Sequence, residues 1–343
     1  MEALISSLSQ QVPFAINHAS DVAAVRRAGQ KLADSLGFNE TRAGQLAIII
    51  TEAATNILKH AGEGTVYLSA AQSTAGPGVD VVAVDTGPGI ADLSTSLRDG
   101  VSTTGTAGNG LGALRRLSDE FDVYSVRGNG AAFFMRLWRD SPAPRACGVD
   151  VGGLCMPLAG EDECGDGWAV ACDENGATLL AADGLGHGPE AARAAAGAIG
   201  ALAKRPASEA GELVASSHEA LRITRGAALA AARIDYAANE LRFAGIGNIS
   251  AAVFDGDGRR ALVSHNGIVG HNMRKVQEFT VPFPPGALCI MHSDGINTQW
   301  DLPGYPGLGG AIPVLVAGIL VRDFIRRRDD AMVLAVRRHG GRP

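Results

Sequence analysis

Aromatic residues are scarce: Phe, Trp and Tyr together make up 5% of the 343 positions. Buried cores must therefore rest on Ala, Val, Leu and Ile, which a hydrophobic content of 46% supplies amply. Cysteine is scarce too. The five cysteines (Cys147, Cys155, Cys164, Cys172 and Cys289) form no C-x-x-C pair, which excludes the common zinc-site spacings. Their odd number predicts small buried thiols, kept reduced in a cytoplasm. A basic excess is absent: 30 Lys and Arg against 36 Asp and Glu give a net charge of −6, which argues against nucleic acid as the main partner. The N-terminal stretch MEALISSLSQ lacks the basic segment and apolar core of a signal peptide. No apolar run reaches membrane-span length. The longest, Ala311 to Val321, contains Pro313 and predicts a buried helix, so no membrane insertion is expected. The length suits two domains of ordinary size.

What is present centres on residues 79–112. Val79 to Val84 is a β-branched apolar run and predicts a buried strand with Asp85 at its end. Gly87 and Gly89 flank Pro88, so the backbone turns sharply and a ligand can approach it closely. A long polar loop then closes with Gly108, Gly110 and Gly112, and Leu111 opens an amphipathic helix to about Glu120. Such a loop presents free N–H groups to phosphate at a helix N-terminus. The Asp85 carboxylate can accept a hydrogen bond from an amino group on a base. A nucleotide between Asp85 and the Gly110–Gly112 turn is the expectation.

Upstream, a helical stretch from Gln45 to His60 spaces Glu52, Asn56 and His60 four apart, which predicts all three on one face. Asn56 offers a neutral oxygen to a hard cation such as Mg²⁺. Glu52, one turn earlier, is placed to orient or deprotonate a nucleophile at a terminal phosphate.

Glu52 with Asn56, DTGPGI at 85–90 and GNGLGAL at 108–114 resemble the nucleotide-binding boxes of the GHKL ATPase superfamily. Leu46 to Arg136 is most similar to RsbT-type and RsbW-type serine/threonine kinases, with DGVSTTG (99–105) and LSDEFDVYS (117–125) close to the RsbT pattern. The resemblance implies ATP binding and phosphorylation of STAS-domain proteins in bacterial stress signalling. One departure stands out: where the family usually has Gly-Lys-Gly-Thr, this chain has Gly128-Asn129-Gly130-Ala131, which makes nucleotide binding a firmer expectation than kinase activity.

The rest of the first domain is expected as follows. Residues 14–40 read as a strand and then a helix, with His18 a structural residue ahead of it. Residues 62–70 and 79–84 read as paired strands around a Gly76-Pro77-Gly78 turn. Residues 121–127 and 131–138 read as a hairpin across Gly128–Gly130. Together they make an α/β sandwich, helices over one antiparallel sheet, ending at Trp138. Residues 139–146, RDSPAPRA, read as a stiff linker.

The second domain carries four aspartates flanking apolar strands: Asp166 before Trp168–Cys172, Asp183-Gly184 after Thr178–Ala182, Asp294-Gly295 after Ala287–Met291, and Asp329-Asp330 before Ala331–Val336. Carboxylates at strand ends can converge at one rim and form an oxygen-rich site for Mg²⁺ or Mn²⁺. Two such ions can activate a bridging water and clamp a phosphoryl group. DGLGHG at 183–188, with Pro189 opening an Ala-rich helix to about Ala203, joins ECGDGW (163–168), GIGN (245–248), HSDGI (292–296) and RRDDAMVLAV (327–336) in resembling the SpoIIE-type branch of the PPM phosphatases, RsbX-like members most closely. This resemblance covers Cys147 to Arg338 and implies a β-sandwich flanked by helices. In it Asp183 bridges two metals and acts as the central catalytic ligand, Gly184 adds its carbonyl, and Asp166, Asp294 and Asp329, rather than Asp330, complete the shells. His187 reads as a loop residue hydrogen-bonded to backbone before it reads as a proton donor.

The expected organisation is a kinase-like domain at 1–138, a linker at 139–146 and a phosphatase-like domain at 147–343. The implied function is a switch that adds and removes phosphate on serine or threonine of STAS-domain partners. Two alternatives stay open: a phosphatase whose ATP-binding domain only senses nucleotide, and a nucleotide-dependent binding protein that sequesters a sigma factor or another regulator.

Overall fold

The computed structural model describes residues 3–6, 11–73, 76–93, 110–140, 147–273 and 276–340. The chain forms two compact units: Ser9–Pro144 with Leu302–Ala311, and Met1–Leu8 with Arg145–Asp301 and Ile312–Pro343. Boundaries drawn as continuous blocks miss two exchanges, because the first eight residues join the C-terminal unit and residues 302–311 join the N-terminal one. Most of the linker, residues 141–146, lies outside the described residues.

The N-terminal unit is one antiparallel sheet in the order β2-β3-β4-β6-β5, formed by β2 (Val12–Ile16), β3 (Gly64–Ser73), β4 (Gly76–Asp85), β5 (Glu120–Ser125) and β6 (Ala131–Trp138). Its helices are α1 (Ala19–Ser35), α2 (Glu40–Asn56) and α3 (Gly110–Leu117). Alternate residues Val79, Val81 and Ala83 of β4 and Phe133, Met135 and Leu137 of β6 share one core with Leu46, Ile49, Ile50 and Ala53 of α2. His18 is the residue ahead of α1, and its N–H donates to Asp21 Oδ2 at 2.8 Å. The bond from Asn17 N–H, followed by that from His18 N–H, holds the Asp21 carboxyl below its usual range.

Two local expectations are corrected. Gly76, Pro77 and Gly78 are not the turn but the first residues of β4, paired with Ser73, Gln72 and Ala71. Pro77 is tolerated there because β6 begins its pairing only at Gly78, so no ladder bond from Pro77 toward β6 is lost. Gly78 is needed for close approach, since a Cβ would lie 2.5 Å from the Trp138 ring. The second correction concerns the helix from Gln45 to His60. It is α-helical from Glu40 to Asn56, then continues as a π-helix over Ile57–Ala61. Four-residue spacing keeps Glu52 and Asn56 on one face, but the wider π turn takes His60 off that phase.

The C-terminal unit is a sandwich of two antiparallel sheets. One has the order β1-β8-β9-β10-β11-β14: β1 (Ala3–Ser6), β8 (Asp166–Cys172), β9 (Gly176–Gly184), β10 (Ala227–Asp235), β11 (Glu240–Ile246) and β14 (Phe279–Pro282). The other has the order β13-β12-β15-β16-β7: β7 (Val149–Met156), β12 (Ser250–Asp255), β13 (Gly258–Leu262), β15 (Leu288–His292) and β16 (Ala331–Arg338). Strand β8 shows why these segments read as unbroken apolar runs. Trp168, Val170 and Cys172 face the core between the sheets, while Ala169 and Ala171 face α4 (Pro189–Lys204) and α5 (Ala210–Leu221). Both faces are covered, so polar alternation is lost. Alanines on the helix side let the helices lie close, which is how a core poor in aromatics fills. Helix α6 (Pro313–Phe324) packs on β7 and β16, with Pro313 at its first turn.

The cysteines depart from expectation. Cys147 and Cys172 form a disulfide, Cα–Cα 5.6 Å, while Cys155, Cys164 and Cys289 are free. The sandwich brings the segment ahead of β7 beside the end of β8, a proximity that a sequence separation of 25 does not reveal. No described helix is long and apolar enough to cross a membrane.

Candidate functional sites

In the N-terminal unit the expected residues lie around the end of β4. Asp85 is buried, and its Oδ1 accepts from Gly87 N–H at 2.9 Å and from Ala131 N–H at 3.3 Å. The strand-end carboxylate is thus fixed by the turn that follows it and by the start of β6. Gly87 packs on Ala61, where a Cβ would approach to 2.6 Å, and Gly89 has φ +67° with Val126 O only 2.2 Å from any Cβ placed there. Gly128 N–H and Gly130 N–H donate to Pro88 O and Gly87 O, so the β5–β6 hairpin clamps the DTGPG turn. Facing this region, α2 carries Glu52 and Asn56, both half-buried. The Asn56 Nδ2 is buried with no hydrogen-bond partner. A buried amide left this way favours a ligand there, since an unmade bond costs about 1–3 kcal/mol. Gly110 begins α3, Leu111 and Leu114 pack in the core, and Gly112 is buried. Gly108 and the DGVSTTG segment lie outside the described residues.

In the C-terminal unit, strand register explains the aspartates. Asp166 and Asp183 are directly paired across β8 and β9. Asp166 continues the inward phase of Trp168 and Val170, and Asp183 that of Leu179 and Ala181, so both stand at the sandwich rim on the core side. Asp294 follows β15 and Asp329 precedes β16, and both line a cavity of about 440 Å³ with Asp183. Like charges facing each other across a strand pair are unfavourable. Burial first, then Asp294, Asp329 and Asp330, push the Asp183 carboxyl up to about 7. Burial, followed by Asp183, raises Asp166 well above the ordinary range against a hydrogen bond from Ser293, and its Oδ2 has no partner.

Asp329 and Asp330 divide in role. Asp330 is buried, and its oxygens accept from Leu158 N–H at 2.8 Å and Gly165 N–H at 2.9 Å, tying β16 to the segment that leads into β8. Asp329 accepts from Asp330 N–H at 2.9 Å and borders the cavity. Gly184 N–H donates to Gly165 O at 3.0 Å, and a Cβ on Gly184 would lie 2.2 Å from Ala191 O. His187 bonds to a carboxylate rather than to backbone: its Nδ1 is 2.6 Å from Glu161 Oε1. Among the described residues, no three His, Cys, Asp or Glu side chains form a group able to hold one ion by themselves. The rim instead suits hard cations that take one or two carboxylates each and keep carbonyl and water ligands. The orphaned Asp166 Oδ2 fits such a role.

Sequence reasoning passed over Asn248 and Asn266. Both line the cavity, and Asn248 Nδ2 donates to Asp294 Oδ2 at 2.7 Å. Asn248 stands in the GIGN motif, so the signal was present without a role attached.

Comparisons with known proteins agree with this geometry. Residues 16–137 match the model of the histidine kinase-like ATPase domain, and residues 173–303 match that of the stage II sporulation protein E (SpoIIE) domain. The serine/threonine-protein kinase RsbT of Bacillus subtilis is 36% identical over 118 residues, 34% of this chain and 89% of that protein. A solved chain from a bacterial stressosome, a modular system adapted to control secondary messenger signalling, is 30% identical with a TM-score of 0.52, covering 55% of this chain and 99% of its own. RsbX, solved in complex with magnesium, is 18% identical with a TM-score of 0.50, covering 55% of this chain and 94% of its own, and shares the fold. With an ATPase-type sheet built around Asp85 and a helix-flanked β-sandwich rimmed by aspartates, the chain belongs to the RsbT family of serine/threonine-protein kinases and carries, after that domain, a SpoIIE domain of PPM phosphatase fold.

Proposed function

We propose that this chain sets the phosphorylation state of serine or threonine residues on STAS-domain partner proteins, adding phosphate through the N-terminal unit and removing it through the C-terminal unit. The observation that carries the reading is the aspartate rim of Asp166, Asp183, Asp294 and Asp329 on the same chain as an RsbT-like unit. Similarity to RsbT and to a stressosome chain favours STAS-domain partners over a sequestered sigma factor.

In the N-terminal unit ATP is the expected ligand. Asp85 would accept from the adenine amino group, Asn56 would offer its oxygen to Mg²⁺, the Gly110–Gly112 turn would give N–H groups to phosphate, and Glu52 would orient the partner's hydroxyl. In the C-terminal unit Asp183, the Gly184 carbonyl, Asp166, Asp294 and Asp329 are the groups that would hold Mg²⁺ or Mn²⁺. A pair of such ions, when bound, supplies an activated water and an electrostatic clamp on the phosphoryl group. The protein's own work is to hold carboxylates together despite their repulsion and to keep Asp294 oriented through Asn248.

A second reading, a phosphatase whose nucleotide domain only senses ATP, is favoured by Ala131. Ala131 gives Asp85 its backbone N–H, and its side chain is a methyl where the family has a hydroxyl.

The deciding experiment gives parent, Asp183→Asn and Glu52→Ala chains ATP, Mg²⁺ and a cognate STAS protein, and follows phosphorylation by mass spectrometry. Asp183→Asn should accumulate phosphoprotein severalfold above the parent, and Glu52→Ala should accumulate none. Equal phosphorylation by parent and Asp183→Asn, while the parent hydrolyses p-nitrophenyl phosphate, would sink the shared substrate. No transfer by any chain would leave the sensor.

A further inference from the structure

The 183–188 turn is fastened to the start of β10. Gly184 pairs with Ala227 and Asp183 with Ala228, and Leu185 N–H donates to Gly226 O at 3.0 Å. The residue just ahead of this junction is Arg225. Its guanidinium stands against Gly186: a Cβ on Gly186 would lie 3.0 Å from Arg225 Nη1. Gly186 in turn lines the cavity that Asp183, Asp294 and Asp329 border.

Arg225 is exposed and has no carboxylate partner among the described residues. Its neighbour Arg222 is different, since it pairs with Glu219 at 3.3 Å. A cation beside an anionic cavity, bound to neither its walls nor a surface carboxylate, remains available to what enters. A phosphate monoester brings two negative charges and three non-bridging oxygens. A guanidinium presents paired N–H donors that match two of those oxygens.

We propose that Arg225 is the phosphoryl-anchoring residue of the C-terminal site, gripping substrate oxygens from the Gly186 side while the aspartate rim holds the reacting side. This rests on the phosphatase reading of that site, and it adds a substrate contact contributed by the turn before β10. A guanidinium at this place discriminates by charge and by the geometry of its paired donors.

The test uses the full-length protein in Mg²⁺, with inorganic phosphate as the probe followed by ³¹P NMR and calorimetry. Arg225→Ala should weaken phosphate binding about tenfold or more and raise KM for p-nitrophenyl phosphate by a similar factor, with a smaller change in kcat. Arg225→Lys should recover part of the loss, because it keeps the charge and gives up the fork. Arg222→Ala, on the same turn, should behave as the parent. Equal phosphate affinity in parent and Arg225→Ala would overturn the proposal, as would a parent that binds no phosphate. A parent that binds phosphate through Arg225 yet hydrolyses no aryl phosphate would overturn the phosphatase reading and leave the anchor standing.

Discussion

Asp183 concentrates the electrostatics of the C-terminal rim in a single residue. Burial and its neighbouring aspartates push it up to about 7 from an ordinary 3.8. Without metal, the folded chain therefore keeps a proton there that the unfolded chain releases. Between those two values the folded state binds more protons, so this group's contribution to stability falls as pH rises from about 4 toward 7. A divalent ion must displace the same proton. Metal affinity should consequently increase with pH up to about 7, by roughly tenfold per unit at the acid side, and level off above it. Mn²⁺ titration by calorimetry at pH 6, 7 and 8, in buffers of different ionisation enthalpy, reads both the affinity and the proton released. Asp183→Asn should reduce the proton release. An affinity indifferent to pH in the parent would take Asp183 out of the ligand set.

At the scale of elements, strand β9 and helix α4 meet through Gly184. A Cβ there would press on the Ala191 carbonyl at 2.2 Å, and a backbone atom in a packed helix has little room to yield. Gly184→Ala should cost about 2–3 kcal/mol of stability and lower the melting temperature of the C-terminal unit. Gly200, also in α4, meets nothing within 4 Å, so Gly200→Ala should stabilise by about 0.5–1 kcal/mol through helix propensity. Opposite signs in calorimetry at the two positions separate packing from propensity, and a loss at both would contradict the open space at Gly200. The same elements show what sequence conveys. Asp85, Asp183 and Asp294 were legible because a carboxylate after an apolar strand is a local pattern, and Pro189 opened its helix as expected. The π-helix after Asn56 was not, because ILKHA has an ordinary α composition and no local residue marks the wider turn. Gly76-Pro77-Gly78 read as a turn because that composition usually is one. Here Trp138 demands glycine inside a strand. The Cys147–Cys172 bond and the Asn248–Asp294 contact depend on which strands become neighbours, which no local pattern encodes.

At the scale of the whole chain, the N-terminus belongs to the far unit. Ala3 to Ser6 pairs antiparallel with Cys172 to Ala169, so β1 caps the sheet edge that β8 would otherwise expose. An uncapped edge leaves backbone N–H and C=O groups without protein partners and a strand free to fray. Because β8 begins with Asp166, fraying there reaches the aspartate rim even though no rim residue is altered. Deleting residues 1–8 should therefore destabilise the C-terminal unit by about 1–3 kcal/mol, the worth of a few backbone hydrogen bonds. The N-terminal unit begins at Ser9 and should keep its nucleotide affinity. Hydrogen exchange followed by mass spectrometry gives the local readout: peptides spanning Ala169–Cys172 should exchange faster in the truncated chain, while those of β15 and β16 should change less. Mn²⁺ affinity should fall along with the protection of β8. The alternative is that the strand is dispensable and β8 is held by β9 and the two helices on its outer face. Unchanged exchange at Ala169–Cys172 would establish that alternative. Faster exchange there, with nucleotide binding intact, would mean that the phosphatase-like half folds fully only when the chain's first residues are present.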